Sequence, residues 1–174
     1  FTLRLFDHLN KLDEIVRFIA LVDFTYTKAE IAFKFNLCKP HIEQSQKSFV
    51  DVKGLRHILI ESLLQNELYV TNDVTLNNEQ LGILLYGTNA VGKSSFIKAL
   101  GISIIMAQAG FYVPCVEFNY SPYKHIFTRI LGNDNLFKGL SSFAVEMIEL
   151  KTILSMANEN SLILGDELCS GTES

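Results

Sequence analysis

Cysteine is scarce in this chain, and the few cysteines present do not cluster. Cys38, Cys115 and Cys169 are widely spaced and form no Cys-x-x-Cys pair. This pattern argues against a disulfide framework and against a cysteine zinc site, and it is typical of reduced thiols inside a cell. We therefore expect an intracellular protein.

An excess of positive charge is also missing. Fifteen basic side chains stand against nineteen acidic ones, for a formal net charge of −4. This balance argues against a domain whose whole surface attracts nucleic acid, although a local basic patch or a separate DNA-binding domain stays open.

The chain also lacks a convincing membrane segment. Its longest uncharged stretch, 99–116, contains Gln108, Gly110 and Pro114, so a buried helix is the better interpretation. The N-terminus has no signal-peptide layout. The 174 residues, 48% of them apolar, are enough for about one domain with a helical extension. Because the chain starts at Phe1 and stops at Ser174 inside a motif, we expect a fragment of a longer protein.

Apolar periodicity divides the chain near residue 40. A seam formed by Leu5, Leu9, Leu12, Val16 and Ile19, followed by a second helical stretch at 26–35 and then Pro40, predicts an amphipathic helical hairpin. From His41 onward, helical patterns after Gly92 and at 142–157 alternate with short strand-like runs. This alternation predicts an α/β fold with a mixed sheet. The candidate strands are 54–61, 67–70, 81–86, 111–116, 125–130 and 161–165.

The strongest chemical signal is the segment from Gly87 to Ser94, which fits the phosphate-loop pattern G-x-x-x-x-G-K-[ST]. Glycines let backbone N–H groups turn toward phosphates, and the following helix adds the positive end of its dipole. In such a loop Lys93 would neutralise the β- and γ-phosphates and the Ser94 hydroxyl would bind Mg²⁺. The alternative is a glycine turn that happens to precede a helix.

A second acidic site follows the apolar run Ser161–Gly165. Asp166 would hold Mg²⁺, directly or through water, and Glu167 would orient or deprotonate the attacking water. Taken alone, two acids after an apolar run are often only a strand reaching solvent. The loop from Gly132 that leads to Ser141 and Ser142 is either a second anion site or simple helix capping.

Five segments, in this order along the chain, resemble the ATPase domain of MutS DNA mismatch-repair proteins: 87–95, 126–130, 139–147, 157–161 and 166–174. The Ser-Ser-Phe-x-Val-Glu-Met segment, 141–147, differs from the LSGGQ-type signature of transporters and SMC proteins. The resemblance implies an ABC-class P-loop NTPase over residues 41–174, with a mixed sheet flanked by helices. Residues 1–40 resemble the helical end of the lever region.

The resemblance also implies a set of functional residues. The catalytic residues would be Glu167 and Lys93, and Ser94 and Asp166 would bind Mg²⁺. Ser141 would reach the γ-phosphate of the nucleotide bound by the opposite subunit, Tyr69 would stack on adenine, and His57 would be structural. The nucleotide-binding residues of one subunit would be Gly87, Thr88, Asn89, Ala90, Val91, Gly92, Lys93, Ser94, Ser95 and Tyr69.

Departures from the family pattern are few. Ala90-Val91 stands where most members have Met-Gly, and Ser95 replaces a Thr. Cys169-Ser170 replaces Gly-Arg, a variant that resembles an outlying MutS group of large DNA viruses and some organelles. Gly171-Thr172 resembles a turn that crosses the dimer interface.

The implied function is ATP hydrolysis coupled to binding and release of mismatched double-stranded DNA, through domains absent here and with a second MutS-like subunit, and no membrane. The alternatives are a nucleotide-gated scaffold with little hydrolysis, another ABC-class head of the SMC or transporter type, and a mismatch-independent role in genome maintenance.

Overall fold

The computed structural model describes residues 9–64, 68–130 and 142–168. The chain forms two compact units, Phe1–Leu37 and Cys38–Ser174. The division assigned from sequence, 1–40 and 41–174, stays a prediction about domains.

The described part of the first unit, from residue 9 onward, contains one continuous helix, α1, Leu9–Lys34. The expected helical hairpin is therefore wrong: no glycine or proline interrupts this stretch, so nothing breaks the helix. Asn36 ends it with a left-handed φ of 48°, while the Leu37 N–H bonds to the Ala32 carbonyl, a termination that needs no proline. In the described part of the seam, Leu12, Val16 and Ile19 are exposed.

The second unit alternates strands and helices, as the apolar pattern predicted. Its elements, in chain order, are β1 His41–Ile42, β2 Phe49–Leu55, α2 Ile58–Leu63, β3 Asn72–Leu76, α3 Lys93–Gln108, β4 Glu117–Ser121, β5 His125–Arg129, α4 Ser142–Met156 and β6 Ser161–Gly165.

The strands of the described residues form two sheets. One has the order β1-β4-β2-β3, in which β1 and β4 are parallel and the other pairs are antiparallel. The other is the parallel pair β5-β6. This mixed α/β architecture confirms the predicted fold class. The strand order does not by itself assign the chain to the ABC class of P-loop NTPases, so that finer assignment stays a prediction.

Helix α3 contributes to the core. Its buried residues Ala99, Leu100 and Ile104 belong to one apolar cluster with the sheet residues Val50 and Phe118. A Cβ added at Gly101 would come 2.7 Å from the Leu164 Cδ1, so α3 packs directly on β6. No helix in the described ranges is long and apolar enough to cross a membrane.

Several predicted strands are wrong. In 54–61, only Gly54 and Leu55 belong to β2, and Ile58–Leu63 is helix α2. The cause is the His57 imidazole, whose Nδ1 accepts the Ile60 N–H at 3.4 Å and so caps α2.

The run 81–86 is also not a strand: it has no regular structure, and Tyr86 is 91% exposed. A fully apolar strand needs a partner at its edges, and no described strand pairs with it.

The remaining misses are shifts along the chain. Leu68–Val70 is irregular and the strand follows at Asn72–Leu76, while Glu67 lies outside the described residues. In 111–116 only Val113 forms a bridge, to Cys38. Pro114 has no N–H to donate, and the strand starts at Glu117.

Candidate functional site

The segment Gly87–Gly92, here called the glycine loop, feeds directly into α3. Gly92 is the N-cap, with φ 97° and ψ 11°, a left-handed conformation that L-residues rarely adopt. Ala90 also has a positive φ, 66°. The first N–H groups of an α-helix have no acceptor within the helix, so the loop delivers a cluster of donors at the N-terminus of α3.

Lys93, the first residue of α3, bends back over the glycine loop. Its ammonium donates to the carbonyl oxygens of Gly87 and Thr88, both at 2.9 Å. The positive charge is thus held at the loop by two neutral acceptors. An anionic oxygen at the same place would form stronger, charge-assisted hydrogen bonds.

A cavity of about 570 Å³, here called the loop cavity, opens beside the glycine loop. This volume suits a small-molecule ligand. From the loop and α3 it takes Ala90, Val91, Gly92, Lys93 and Ser95. Helix α3 also contributes Phe96, and the remaining lining residues include Ile60, Leu64 and Tyr69. The cavity therefore combines the loop's donors with an apolar, ring-bearing wall.

Tyr69 is anchored to the start of α2. Burial raises the pKa of its phenol, and a backbone hydrogen bond with His57 partly opposes that rise. His57 itself is buried, which lowers the pKa of its imidazole. Next to it, the Arg56 Nη1 donates to both carboxylate oxygens of Glu61, at 2.7 and 2.8 Å. These contacts hold α2, and with it Ile60, in place as a wall of the cavity.

The two predicted acids lie at the end of β6. The Asp166 N–H donates to the Arg129 carbonyl at 2.8 Å, continuing the β5-β6 pairing, and Asp166 is 8% exposed. Glu167 has a left-handed φ of 49°. Among the described residues that line the loop cavity, neither acid appears, and neither does Ser94.

Comparisons with known proteins decide the family. The family profile described as MutS domain V matches residues 83–174, more than half of the chain. The chain belongs to the MutS family. The match begins in the run before the glycine loop and covers α3, α4 and β6.

Individual MutS relatives agree. The chain is similar to a DNA mismatch repair protein mutS homolog of Acanthamoeba polyphaga mimivirus, with 40% identity over 96% of this chain and 18% of the relative. A mitochondrial DNA mismatch repair protein mutS homolog of Sarcophyton glaucum is 42% identical over 91% of this chain and 16% of its own length. DNA mismatch repair protein MutS of Alkaliphilus oremlandii is 35% identical over 97% and 19%.

This chain thus spans less than a fifth of the length of the relatives it matches. One of these relatives comes from a large DNA virus and another is mitochondrial. These are the two sources of MutS proteins that the Cys169-Ser170 variant had indicated. Membership of the MutS family also removes the support for a transporter or SMC-type head.

Within this MutS chain, the structure brings together part of the predicted site. Tyr69 shares a cavity with Ala90–Lys93 and Ser95, while Gly87 and Thr88 hold the Lys93 ammonium. Asn89 lies exposed in the same loop. Ser141, Cys169-Ser170 and Gly171-Thr172 lie outside the described residues, so their roles stay predictions.

Sequence reasoning missed two apolar walls of the cavity. Ile60 lies in α2, and Leu64 directly follows that helix as its C-cap. Phe96 follows Lys93 by three residues and so lies on the same face of α3. Both signals were present in the sequence; the first was hidden because 54–61 resembled a strand.

Proposed function

We propose that this chain is the ATP-binding and ATP-hydrolysing domain of a MutS-like DNA mismatch-repair protein, in which the nucleotide state controls binding and release of mismatched DNA. The observation that carries the proposal is the loop cavity, which is lined by residues at the N-terminus of α3, among them Lys93, and by Tyr69. The printed names of the relatives, all DNA mismatch-repair proteins, support the DNA part of the proposal.

Nucleotide binding follows from the chemistry of this cavity. Triphosphate oxygens would accept hydrogen bonds from the N–H groups at the start of α3 and from Lys93, which would leave the carbonyls of Gly87 and Thr88. The adenine would lie on the Tyr69 ring among Ile60 and Phe96. Such stacking on an aromatic face stabilises any base, so the ring supplies affinity more than selectivity.

Two oxygen donors suit a magnesium ion. The half-buried Ser94 hydroxyl and the Asp166 carboxylate, 8% exposed, are hard ligands of the kind that Mg²⁺ prefers. Mg²⁺ is normally held by one or two protein oxygens together with phosphate oxygens and water. When bound, the ion would neutralise charge that develops on the phosphates. We propose Ser94 and Asp166 as its protein ligands.

Hydrolysis would rest on Glu167. Its left-handed φ of 49° costs on the order of 1 kcal/mol, and such strain tends to concentrate at functional positions. The carboxylate would orient the attacking water and accept its proton. Ser141 of a second subunit would complete the site at the γ-phosphate, so ATP would draw two ATPase domains together and hydrolysis would loosen them.

The test of nucleotide binding compares two lysines of α3. Lys93→Met should weaken ATP affinity in calorimetric titration by about 10- to 100-fold, because charge-assisted hydrogen bonds contribute about 1.5–3 kcal/mol. Lys98→Met is the matched control, since Lys98 is exposed on the same helix, and its affinity should stay within about 2-fold. Equal affinities of the two variants would overturn the proposed site.

A nucleotide-gated scaffold is the second candidate, and it has its own support: neither acid is among the described residues lining the loop cavity. Steady-state turnover of the full-length parent protein separates the two functions. A Glu167→Gln variant that binds ATP but hydrolyses it at least 10-fold more slowly supports the ATPase. Indistinguishable rates support the scaffold. In the same protein, Lys93→Met should abolish ATP-controlled release from mismatched DNA, with fully paired DNA as control.

A further inference from the structure

Two thiols that lie far apart in sequence meet in the second unit. The sulfur atoms of Cys38 and Cys115 are 3.1 Å apart and share a hydrogen bond, although 77 positions separate them. Both cysteines are free thiols in this structure. Neither belongs to the glycine loop, the loop cavity or the acidic site.

The backbone on both sides keeps the thiols together. Cys38 exchanges two hydrogen bonds with Val113, at 2.8 and 2.9 Å. Cys115 lies two residues beyond Val113, and its N–H donates to the Val113 carbonyl at 2.9 Å, so the same residue ties both cysteines in place. The two residues next to Cys115 in the chain are also held by hydrogen bonds of 2.8 Å. The Pro114 carbonyl accepts the N–H of Arg56, the residue after β2, and the Val116 N–H donates to the carbonyl of Lys53 in β2.

The two thiols differ in access and in acidity. Cys38 is half-buried, whereas Cys115 is 3% exposed. The hydrogen bond with Cys115 lowers the pKa of the Cys38 thiol, and the positive charge of Arg56 adds to this effect, while burial opposes both. The same hydrogen bond, together with burial, raises the pKa of Cys115. Cys38 is therefore the thiol that an outside reagent reaches and that ionises first.

We propose that Cys38 and Cys115 form a reversible thiol–disulfide site that reacts with small disulfides of the oxidised-glutathione class. The Cys38 thiolate attacks one sulfur of the small disulfide, breaking its S–S bond and releasing one thiolate, which takes up the Cys38 proton. The Cys115 sulfur then attacks Cys38, expels the second small thiol and loses its proton to it. The net change is two protein thiols and one small disulfide to one protein disulfide and two small thiols.

Little motion is needed for the second step. A disulfide bond is about 2.05 Å long, so the two sulfurs close by about 1 Å from their hydrogen-bonded position. The bond would link the first residue of the second unit to the segment before β4. Because it would close a long chain loop, it should raise the melting temperature by on the order of 5–10 °C.

The experiment equilibrates the full chain with oxidised and reduced glutathione at several ratios, followed by alkylation and peptide mapping by mass spectrometry. We expect the Cys38 and Cys115 peptides to become linked to each other, reversibly with dithiothreitol. The melting temperature should rise in parallel. The link should survive in Cys169→Ser, which removes the only other cysteine of the chain.

Two single variants separate the steps. Cys115→Ala should stop at one glutathione on Cys38, and Cys38→Ser should leave Cys115 unmodified with no change in melting temperature between oxidised and reduced buffers. If Cys115→Ala does not fold, the test relies on Cys38→Ser, in which Cys115 modification and the melting temperature in oxidised and reduced buffers are compared with those of the wild-type chain. The proposal is overturned by stable glutathione on Cys38 in the wild-type chain, by links that involve Cys169, or by unchanged thiols at every ratio. None of these readouts depends on nucleotide.

Discussion

Replacing Gly92 by alanine probes the point where the glycine loop becomes helix α3. Gly92 has a φ of 97°, and a Cβ built there would meet nothing within 4 Å. The cost of alanine is therefore conformational and not steric. A left-handed L-residue costs roughly 1–2 kcal/mol.

The control for this change is Gly82→Ala. Gly82 also has open space within 4 Å and no positive φ. Both substitutions reduce the entropy of the unfolded chain by the same amount, which by itself stabilises by about 0.4–1 kcal/mol. This term cancels in the comparison, so Gly92→Ala should be less stable than Gly82→Ala by about 1–2 kcal/mol.

Equilibrium urea unfolding of the two variants under one set of conditions measures this difference directly. The proposed nucleotide site adds a second readout, because a shifted N-cap would turn the first N–H groups of α3 away from the phosphates. Gly92→Ala should then also bind ATP more weakly than Gly82→Ala. Equal unfolding free energies, within about 0.3 kcal/mol, would refute the argument that φ at Gly92 demands glycine.

Two further changes test groups in and beside the core. Burial lowers the pKa of His57 below 6.5, so its protonation opposes folding: stability is retained above about pH 6.5 and is lost as pH falls toward the lower folded pKa. His57→Asn keeps a side-chain acceptor for capping α2 but cannot take up a proton in this pH range. The urea concentration at the midpoint of unfolding should therefore fall less between pH 7.5 and pH 5.5 than in the wild-type chain; an equal fall would show that His57 protonation does not destabilise the fold. Ser103 is fully buried, and its hydroxyl has no hydrogen-bond partner in the part of the chain that is described. Ser103→Ala should therefore raise the unfolding free energy by about 1 kcal/mol in thermal or urea melts, and a loss of stability would show that the hydroxyl has a partner.

The sequence predicted four elements of the second unit correctly and several others poorly. Helices α3 and α4 and strands β5 and β6 follow from sustained apolar patterns, and all four were expected. The short run at 58–63 is apolar enough for either a strand or a helix, and only the His57 cap decides for helix. The run 81–86 has the composition of a buried strand but is exposed, because strand formation depends on a partner that sequence pattern does not specify.

The candidate site divides in the same way. The glycine loop, Lys93 and the acid pair were recognisable because their chemistry depends on residue types at fixed spacing along the chain. The walls contributed by Ile60 and Phe96 were not recognised, because a cavity is formed by elements that meet in space. Ser141 and residues 169–174 lie outside the described residues, and those parts of the site stay predictions.

By itself, the sequence determined the local chemistry of this protein: a phosphate-loop pattern, an acidic pair after an apolar run, and an ordered set of motifs that resemble MutS. Tertiary structure alone brought Tyr69 to the glycine loop and set the Cys38 and Cys115 sulfurs 3.1 Å apart. The physical reason is range. Backbone turns, caps and helix starts depend on neighbouring residues, whereas a contact across 77 positions depends on how strands pair and how their faces pack.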